Sequence, residues 1–202
     1  MKPVEFPMHN HATQSHAPLI RQTDSMHHPL IIALHWFTLA ALVMGVAAIL
    51  LREVAEGRLL RLELLNLHRS VGLLVLLVSG ARLALRKNVG RPGPAHDTPR
   101  VIRLVAAISH GALYLLLLVL PLLGWALTSA HGQHASLFGL ISLPPLTASD
   151  PDLADTLANF HVWASWTLLA LVIAHAGAAL WHHHMRRDQV LTSMLPKRRN
   201  TR

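Results

Sequence analysis

No cysteine occurs in the 202 residues. Its absence excludes structural disulfides, covalent haem attachment through a C-x-x-C-H motif and cysteine-ligated iron–sulfur clusters. Charge is also scarce: 14% of residues are charged and 52% hydrophobic. The apolar residues come in blocks rather than in amphipathic alternation, which is the pattern of a membrane protein. No Gly-rich phosphate loop, nucleotide fingerprint or catalytic triad is present, which argues against a soluble nicotinamide substrate. The chain has the length of one small bundle, without room for a second catalytic domain. The formal net charge is +8. Its basic residues flank apolar runs, so the partner implied is a membrane surface and not nucleic acid.

Four spans are predicted. The first runs from Leu30 to Leu51 and the third from Leu104 to Ala130, the latter containing Pro121 and Gly124, which predict a kink. The fourth, Phe160 to Leu180, holds no formally charged side chain. The second is weaker: Val71 to Ala81 is apolar, but Arg82, Arg86 and Lys87 follow it. It spans if Arg82 snorkels or binds an anion. Gly90-Arg91-Pro92-Gly93-Pro94 reads as a turn between the second and third spans. The expected fold is all-α, a transmembrane four-helix bundle.

Lysine and arginine predict its orientation. The second connection carries Arg86, Lys87, Arg91, Arg100 and Arg103, and the tail carries Arg186, Arg187, Lys197, Arg198, Arg199 and Arg202. The third connection, Thr128 to Asn159, has neither residue type and carries Asp150, Asp152 and Asp155. The positive-inside rule therefore puts both termini in the cytoplasm and the acidic connection outside. Arg52, Arg58 and Arg61 are balanced by Glu53, Glu56 and Glu63 in the first connection, which casts no vote. Residues 1–28 read as a polar, His-rich leader, disordered rather than metal-binding, with no apolar signal core. Residues 29–185 form the membrane domain, and residues 186–202 a basic cytoplasmic tail.

Histidine is plentiful where charge is not. His161 and His175 lie fourteen residues apart, close to four helical turns, so they share a face about 21 Å apart along the axis. Orientation sorts the rest by depth. The outer level holds His68 and His161; the inner level holds His35, His110 and His175. Two histidines from different helices at each level are what bis-imidazole ligation of two stacked haems requires. The residues alone leave His35 and His110 as rivals for the inner site. A lone intramembrane histidine is often an interhelical hydrogen-bonding group, but five sorted into two levels fit that reading poorly. A zinc or proton pathway normally adds carboxylates, and no Asp or Glu lies within an apolar span.

This ordered set resembles the prokaryotic cytochrome b561 family. It comprises His35-Trp36, His68 with Gly72 and Arg82, and His110 followed by Leu120-Pro121 and Gly124. His161, His175 and His182-His183 complete it. The resemblance runs from about residue 28 to the tail. It implies that His35 and His175 ligate an inner haem b, that His68 and His161 ligate an outer one, and that His110 is not a ligand. In that frame Gly72, one turn after His68, lets a porphyrin approach the helix backbone. Arg82, fourteen residues after His68, is placed to pair with a haem propionate.

Iron with two axial histidines has no open position, so the expected chemistry is single-electron transfer. The expected acceptor is membrane ubiquinone, with His182 hydrogen-bonding it and relaying protons at the cytoplasmic interface of a bacterial inner membrane. Members of the family include superoxide oxidases, which makes superoxide the leading outer donor. Others are haem subunits linking a dehydrogenase or hydrogenase to the quinone pool. A superoxide site calls for a basic outer surface, and the acidic third connection departs from that. Arg52, Arg58, Arg61 and Arg69 are the residues able to compensate.

Overall fold

The computed structural model describes residues 28–89, 99–188 and 190–195, with the backbone alone at Val89. The polar leader up to residue 27, the Gly90–Pro94 turn and the basic residues from 197 onward lie outside the described residues. Four helices carry the fold: α1 (Pro29–Val54), α2 (Arg58–Val89), α3 (Arg100–Ala130) and α4 (Pro151–Trp181). All four are long and apolar enough to cross a membrane. A two-stranded antiparallel hairpin, β1 (Ser136–Leu137) and β2 (Ile141–Ser142), lies between α3 and α4. A π-helical turn (His182–Arg186) and a 3₁₀ turn (Thr192–Met194) follow α4.

Several helix ends have a local cause. Pro29 opens α1 at a position where its missing N–H costs nothing, and the His28 ring accepts from the Leu30 N–H. The link to α2 needs a left-handed residue, which Gly57 supplies at φ 86°. Gly132, at φ 71°, ends α3 and donates its N–H to Ser129 O. Asp150 caps α4 by accepting from the Leu153 N–H, with Pro151 next and Asp152 in the first turn.

These caps correct the expected boundaries. The third connection does not run from Thr128 to Asn159. It is the stretch between Ala130 and Pro151, and Asp152 and Asp155 belong to the first turns of α4. Hydropathy marks where a helix is apolar, whereas the Asp-Pro cap marks where it starts. The second span likewise sits inside a 32-residue helix, so Arg82 lies seven residues before its end and not at it. α3 continues through Pro121.

The bundle is unevenly packed. α1 lies along α2, α2 along α3 and α3 along α4, while α4 meets α1 and α2 only marginally. One buried cluster joins all four helices: Ala41 from α1, Val71 and Val75 from α2, Leu117 from α3 and Leu168 from α4. Leu168 stands seven residues from both His161 and His175, so this apolar plug fills the middle of the bundle. Outward-facing side chains such as Val43, Leu50, Ile108, Leu115 and Ile173 stay exposed along the helices, as a hydrocarbon surround allows.

The hairpin end is fastened by one serine. Ser70 Oγ donates to Ser136 O at 3.1 Å and accepts from the Phe138 N–H at 3.0 Å. Ser70 is 3% exposed, and both bonds tie the hairpin to α2 just after His68. Replacing Ser70 with alanine strands a carbonyl and an N–H, each costing about 1–3 kcal/mol if it stays buried. Ser70→Ala should accelerate amide exchange at Phe138 and lower the melting temperature, measured by hydrogen exchange and thermal unfolding in detergent.

Candidate haem-binding site

Five histidines of the helices gather at two levels of the bundle. At the hairpin end, His68 of α2 faces His161 of α4, with ring centroids 6.2 Å apart and planes at 77°. At the other end, where α1 begins and α4 ends, His35 of α1 faces His175 of α4 at 6.3 Å and 75°. His110 of α3 also approaches His175, at 5.3 Å. Both wide pairs reach across the side where α4 packs loosely against α1 and α2.

The spacing has a chemical meaning. An imidazole nitrogen binds a transition metal at about 2.0–2.1 Å. The ring centroid lies roughly 1.1 Å behind that nitrogen, so two imidazoles trans across one metal put their centroids about 6.3 Å apart. The His68–His161 and His35–His175 separations match this figure. The His110–His175 separation is about 1 Å too short for it. Among the described residues no three or more His, Cys, Asp or Glu side chains cluster to hold an ion. The donors meet as opposed pairs.

The rings are oriented from behind. His68 Nδ1 bonds the Gly45 carbonyl at 2.9 Å, which fixes the ring from behind in the way that metal-ligating imidazoles are usually held. Gly45 is the one glycine of α1, and a Cβ there would lie 3.9 Å from the His68 ring. Gly124 plays the corresponding part for His161. A Cβ at Gly124 would come within 3.2 Å of His161 Cε1, so α3 needs glycine at that point to let the ring in. His110 Nδ1 turns back to the Ala106 carbonyl of its own helix at 2.6 Å.

Other polar groups in the interior await a partner. Arg82 Nε and the Tyr114 hydroxyl are buried without a hydrogen bond. The guanidinium of Arg82 lies 5.6 Å, and that of Arg86 5.8 Å, from the Tyr114 ring centroid, so the ring holds two cations side by side. A half-buried arginine whose buried Nε–H is unused suits a carboxylate ligand. Beside His68, a Cβ built on Gly72 meets nothing within 4 Å, leaving space next to the ring. Opposed imidazoles, open space at Gly72 and a half-buried arginine with an unused Nε–H together fit a porphyrin carrying propionates.

Sequence comparison agrees with this geometry. The family described as prokaryotic cytochrome b561 matches residues 26–197. The chain belongs to the prokaryotic cytochrome b561 family. Cytochrome b561 homolog 1 of Escherichia coli strain K12 is 32% identical over 170 residues, covering 83% of this chain and 96% of that protein. Cytochrome b561 homolog 2 of the same strain is 33% identical over 132 residues, covering 65% of this chain and 70% of that protein. The probable superoxide oxidase CybB of Yersinia pestis is 31% identical over 168 residues, covering 83% of this chain and 94% of that protein. As a cytochrome b561 the chain is a multi-pass membrane protein of a family that binds b-type haem.

The structure thus brings together His35, His68, His161 and His175, and it places Gly72 beside His68 and Arg82 against Tyr114. His182 stands apart from them, at the start of the π-helical turn. Gly45, Tyr114 and Ser70 were not foreseen as parts of the site. A lone glycine in an otherwise bulky span was the available signal for Gly45. At the hairpin end a cleft of about 380 Å³ is lined by Arg52, Arg58, Arg61, Gly57, Leu62 and Leu65.

The Gly124 contact gives a sharp test. Gly124→Val adds methyls where even a Cβ crowds His161, so the ring must shift and haem content should fall. Gly80→Ala, where a Cβ meets nothing within 4 Å, should leave haem content unchanged. A pyridine haemochrome assay on the two purified variants checks both.

Proposed function

We propose that the chain is a di-haem electron carrier that passes single electrons from a donor at the hairpin end to ubiquinone at the end bearing the termini. The observation that carries this reading is the pair of opposed imidazole couples, each near the separation that one axially ligated iron demands. In it, His68 and His161 hold one haem b and His35 and His175 hold the other. His110 is a neighbour of the second, because its separation from His175 is too short for a trans pair. Haem ligated on both faces supplies one-electron transfer and no site for binding dioxygen.

The residues divide the remaining work. Gly45 fixes the His68 ring, and Gly124 makes room for His161. Arg82 neutralises a propionate in a region where an unpaired carboxylate is costly. The apolar cluster of Ala41, Val71, Val75, Leu117 and Leu168 excludes water between the two levels. With the termini in the cytoplasm of a bacterium, the hairpin end faces outward across the inner membrane.

Superoxide is the donor we favour. A small anion is drawn to positive potential, and the cleft at the α1–α2 connection gathers Arg58 and Arg61 beside Arg52, itself paired with Glu53 at 2.9 Å, where the hairpin lacks Lys and Arg. The relative from Yersinia pestis bears the name of probable superoxide oxidase, which supports the same assignment. A haem subunit serving a dehydrogenase would instead receive electrons from a partner protein. Stopped-flow mixing of the oxidised protein with superoxide separates the two: rapid haem reduction, followed by reoxidation on adding ubiquinone, supports the first, and no reduction supports the second.

Two measurements test the site assignments. The purified protein should contain two non-covalent, low-spin haems per chain. His68→Ala or His161→Ala, and separately His35→Ala or His175→Ala, should each leave about one haem, while His110→Ala keeps two. Loss of a haem in His110→Ala with retention in His35→Ala would reverse the assignment at the second level. His182→Ala should preserve both spectra and reduction from the hairpin end, and slow reoxidation by ubiquinone. Equal reoxidation rates from pH 6 to 8 would move the quinone site elsewhere.

A further inference from the structure

The apolar helix α4 gives way at Trp181 to a π-helical turn, His182–Arg186. The chain then reverses through Arg187, a non-glycine residue at φ 52°. This reversal has a specific product. The N–H groups of Arg187 and Asp188 both return to the His182 carbonyl, and the Asp188 side chain folds back onto the His182 ring. Asp188 Oδ2 meets His182 Nδ1 at 2.5 Å, and Asp188 Oδ1 accepts from the Val190 N–H at 3.1 Å. The side chains are 22% and 36% exposed for His182 and Asp188, so the pair lies at a water boundary.

A non-glycine residue in the left-handed region and a π-helical turn are both unusual backbone states, and each tends to mark function. Here they achieve one thing, the delivery of a carboxylate to the back of an imidazole. With Nδ1 engaged, the other ring nitrogen is left free to face a ligand, and the ring is held in one orientation. A slight loss of hydration pushes the Asp188 carboxyl up. The hydrogen bonds from His182 and the Val190 N–H, with the charges of His182 and Arg186, outweigh it and hold the group below the usual carboxylate range.

The surroundings give the pair two sides. Leu180, Trp181 and Met185 are exposed apolar residues beside it, an approach from the bilayer. Beyond Asp188, the 3₁₀ turn docks on α1, where Trp36 Nε1 donates to the Met194 carbonyl at 2.7 Å. Trp36 in turn stacks edge-on against His35, with centroids 5.7 Å apart. One short segment therefore links the carboxylate–imidazole pair to the neighbourhood of the second imidazole couple.

We infer that Asp188 is the positioning residue of a proton-delivery pair, holding His182 so that its free ring nitrogen passes protons from cytoplasmic water to the carbonyl oxygens of a bound quinone. This rests on the proposed reading of His182 as the quinone-side residue. Per quinone, two electrons arrive singly from the one-electron donor through the protein. Two protons leave the imidazole for the two quinone oxygens, forming two O–H bonds and a quinol. Each proton lost from His182 is replaced from water at the exposed edge of the pair, and the Asp188 carboxylate stabilises the imidazolium between transfers.

The test uses the full-length haem-loaded protein, ubiquinone-1 and three variants: Asp188→Asn, Asp188→Glu and His182→Ala. Asp188→Asn should keep both haem spectra, reduction from the donor side and the equilibrium affinity for ubiquinone-1. It should lower the maximal rate of quinone-dependent reoxidation roughly tenfold or more and raise the solvent deuterium isotope effect on that rate, with KM nearly constant. Asp188→Glu should recover much of the rate. If His182→Ala slows reoxidation while Asp188→Asn leaves both rate and isotope effect at wild-type values, the inference about Asp188 is overturned and the quinone site stands. Unchanged rates in all three variants overturn the quinone reading itself. Loss of ubiquinone-1 affinity in Asp188→Asn, without a change in isotope effect, would make Asp188 a structural clamp and also overturn the inference.

Discussion

Two imidazole couples, with ring centroids 6.2 and 6.3 Å apart, are the constraint on which the rest of this molecule turns. Packing alone would not hold them there. In hydrocarbon a helix gains little by leaving lipid for another helix, and a gap between helices closes unless something fills it. The protein meets this by packing three sequential helix pairs tightly and leaving α4 loosely joined to α1 and α2. The histidines lie across the loose side. The apolar plug joins all four helices midway between the levels, so apolar side chains separate the couples and their spacing follows the pitch of α4.

Most other features serve that arrangement. Gly45 and Gly124 are both short of a side chain where an imidazole needs a carbonyl or a berth. Ser70, next but one to His68 in the chain, anchors the hairpin that roofs one end. At the opposite end the segment after α4 folds back and reaches Trp36, next to His35. Each end of the bundle is thus closed by a short irregular element fixed within two residues of a histidine. A short irregular element at each end covers the imidazole couple beside it and leaves the apolar sides of the helices exposed.

Much of this was legible in the sequence because membrane solubility imposes strong patterns. Four apolar runs, the fourteen-residue interval from His161 to His175 and the order of His35, His68 and His110 define the bundle and the levels. The boundaries were less legible. α4 starts at the Asp150-Pro151 cap, nine residues before the apolar run begins, since a capping signal is local and a hydropathy signal is averaged. The hairpin was missed because strands of two residues carry no periodicity. Ser70 reaches the hairpin across 66 residues of chain, a relation no local pattern encodes.

The Asp188–His182 pair shows the same limit from the other side. By helical periodicity, His182 continues the face of His175 toward water. The chain instead leaves the α-helix at that very residue, and the departure is what gives His182 a partner. Arg187, in a conformation that usually selects glycine or asparagine, offers no sequence cue for the reversal. Seven residues beyond His175, His182 reads from sequence as a quinone-side imidazole two turns nearer water, but not as one with a carboxylate behind it. The structure adds the partner: His183 and His184 meet edge-on at 5.0 Å, while His182 is backed by the Asp188 carboxylate. That carboxylate is what sets His182 apart from the rest of the run, and it is the observation on which the proton-delivery proposal stands.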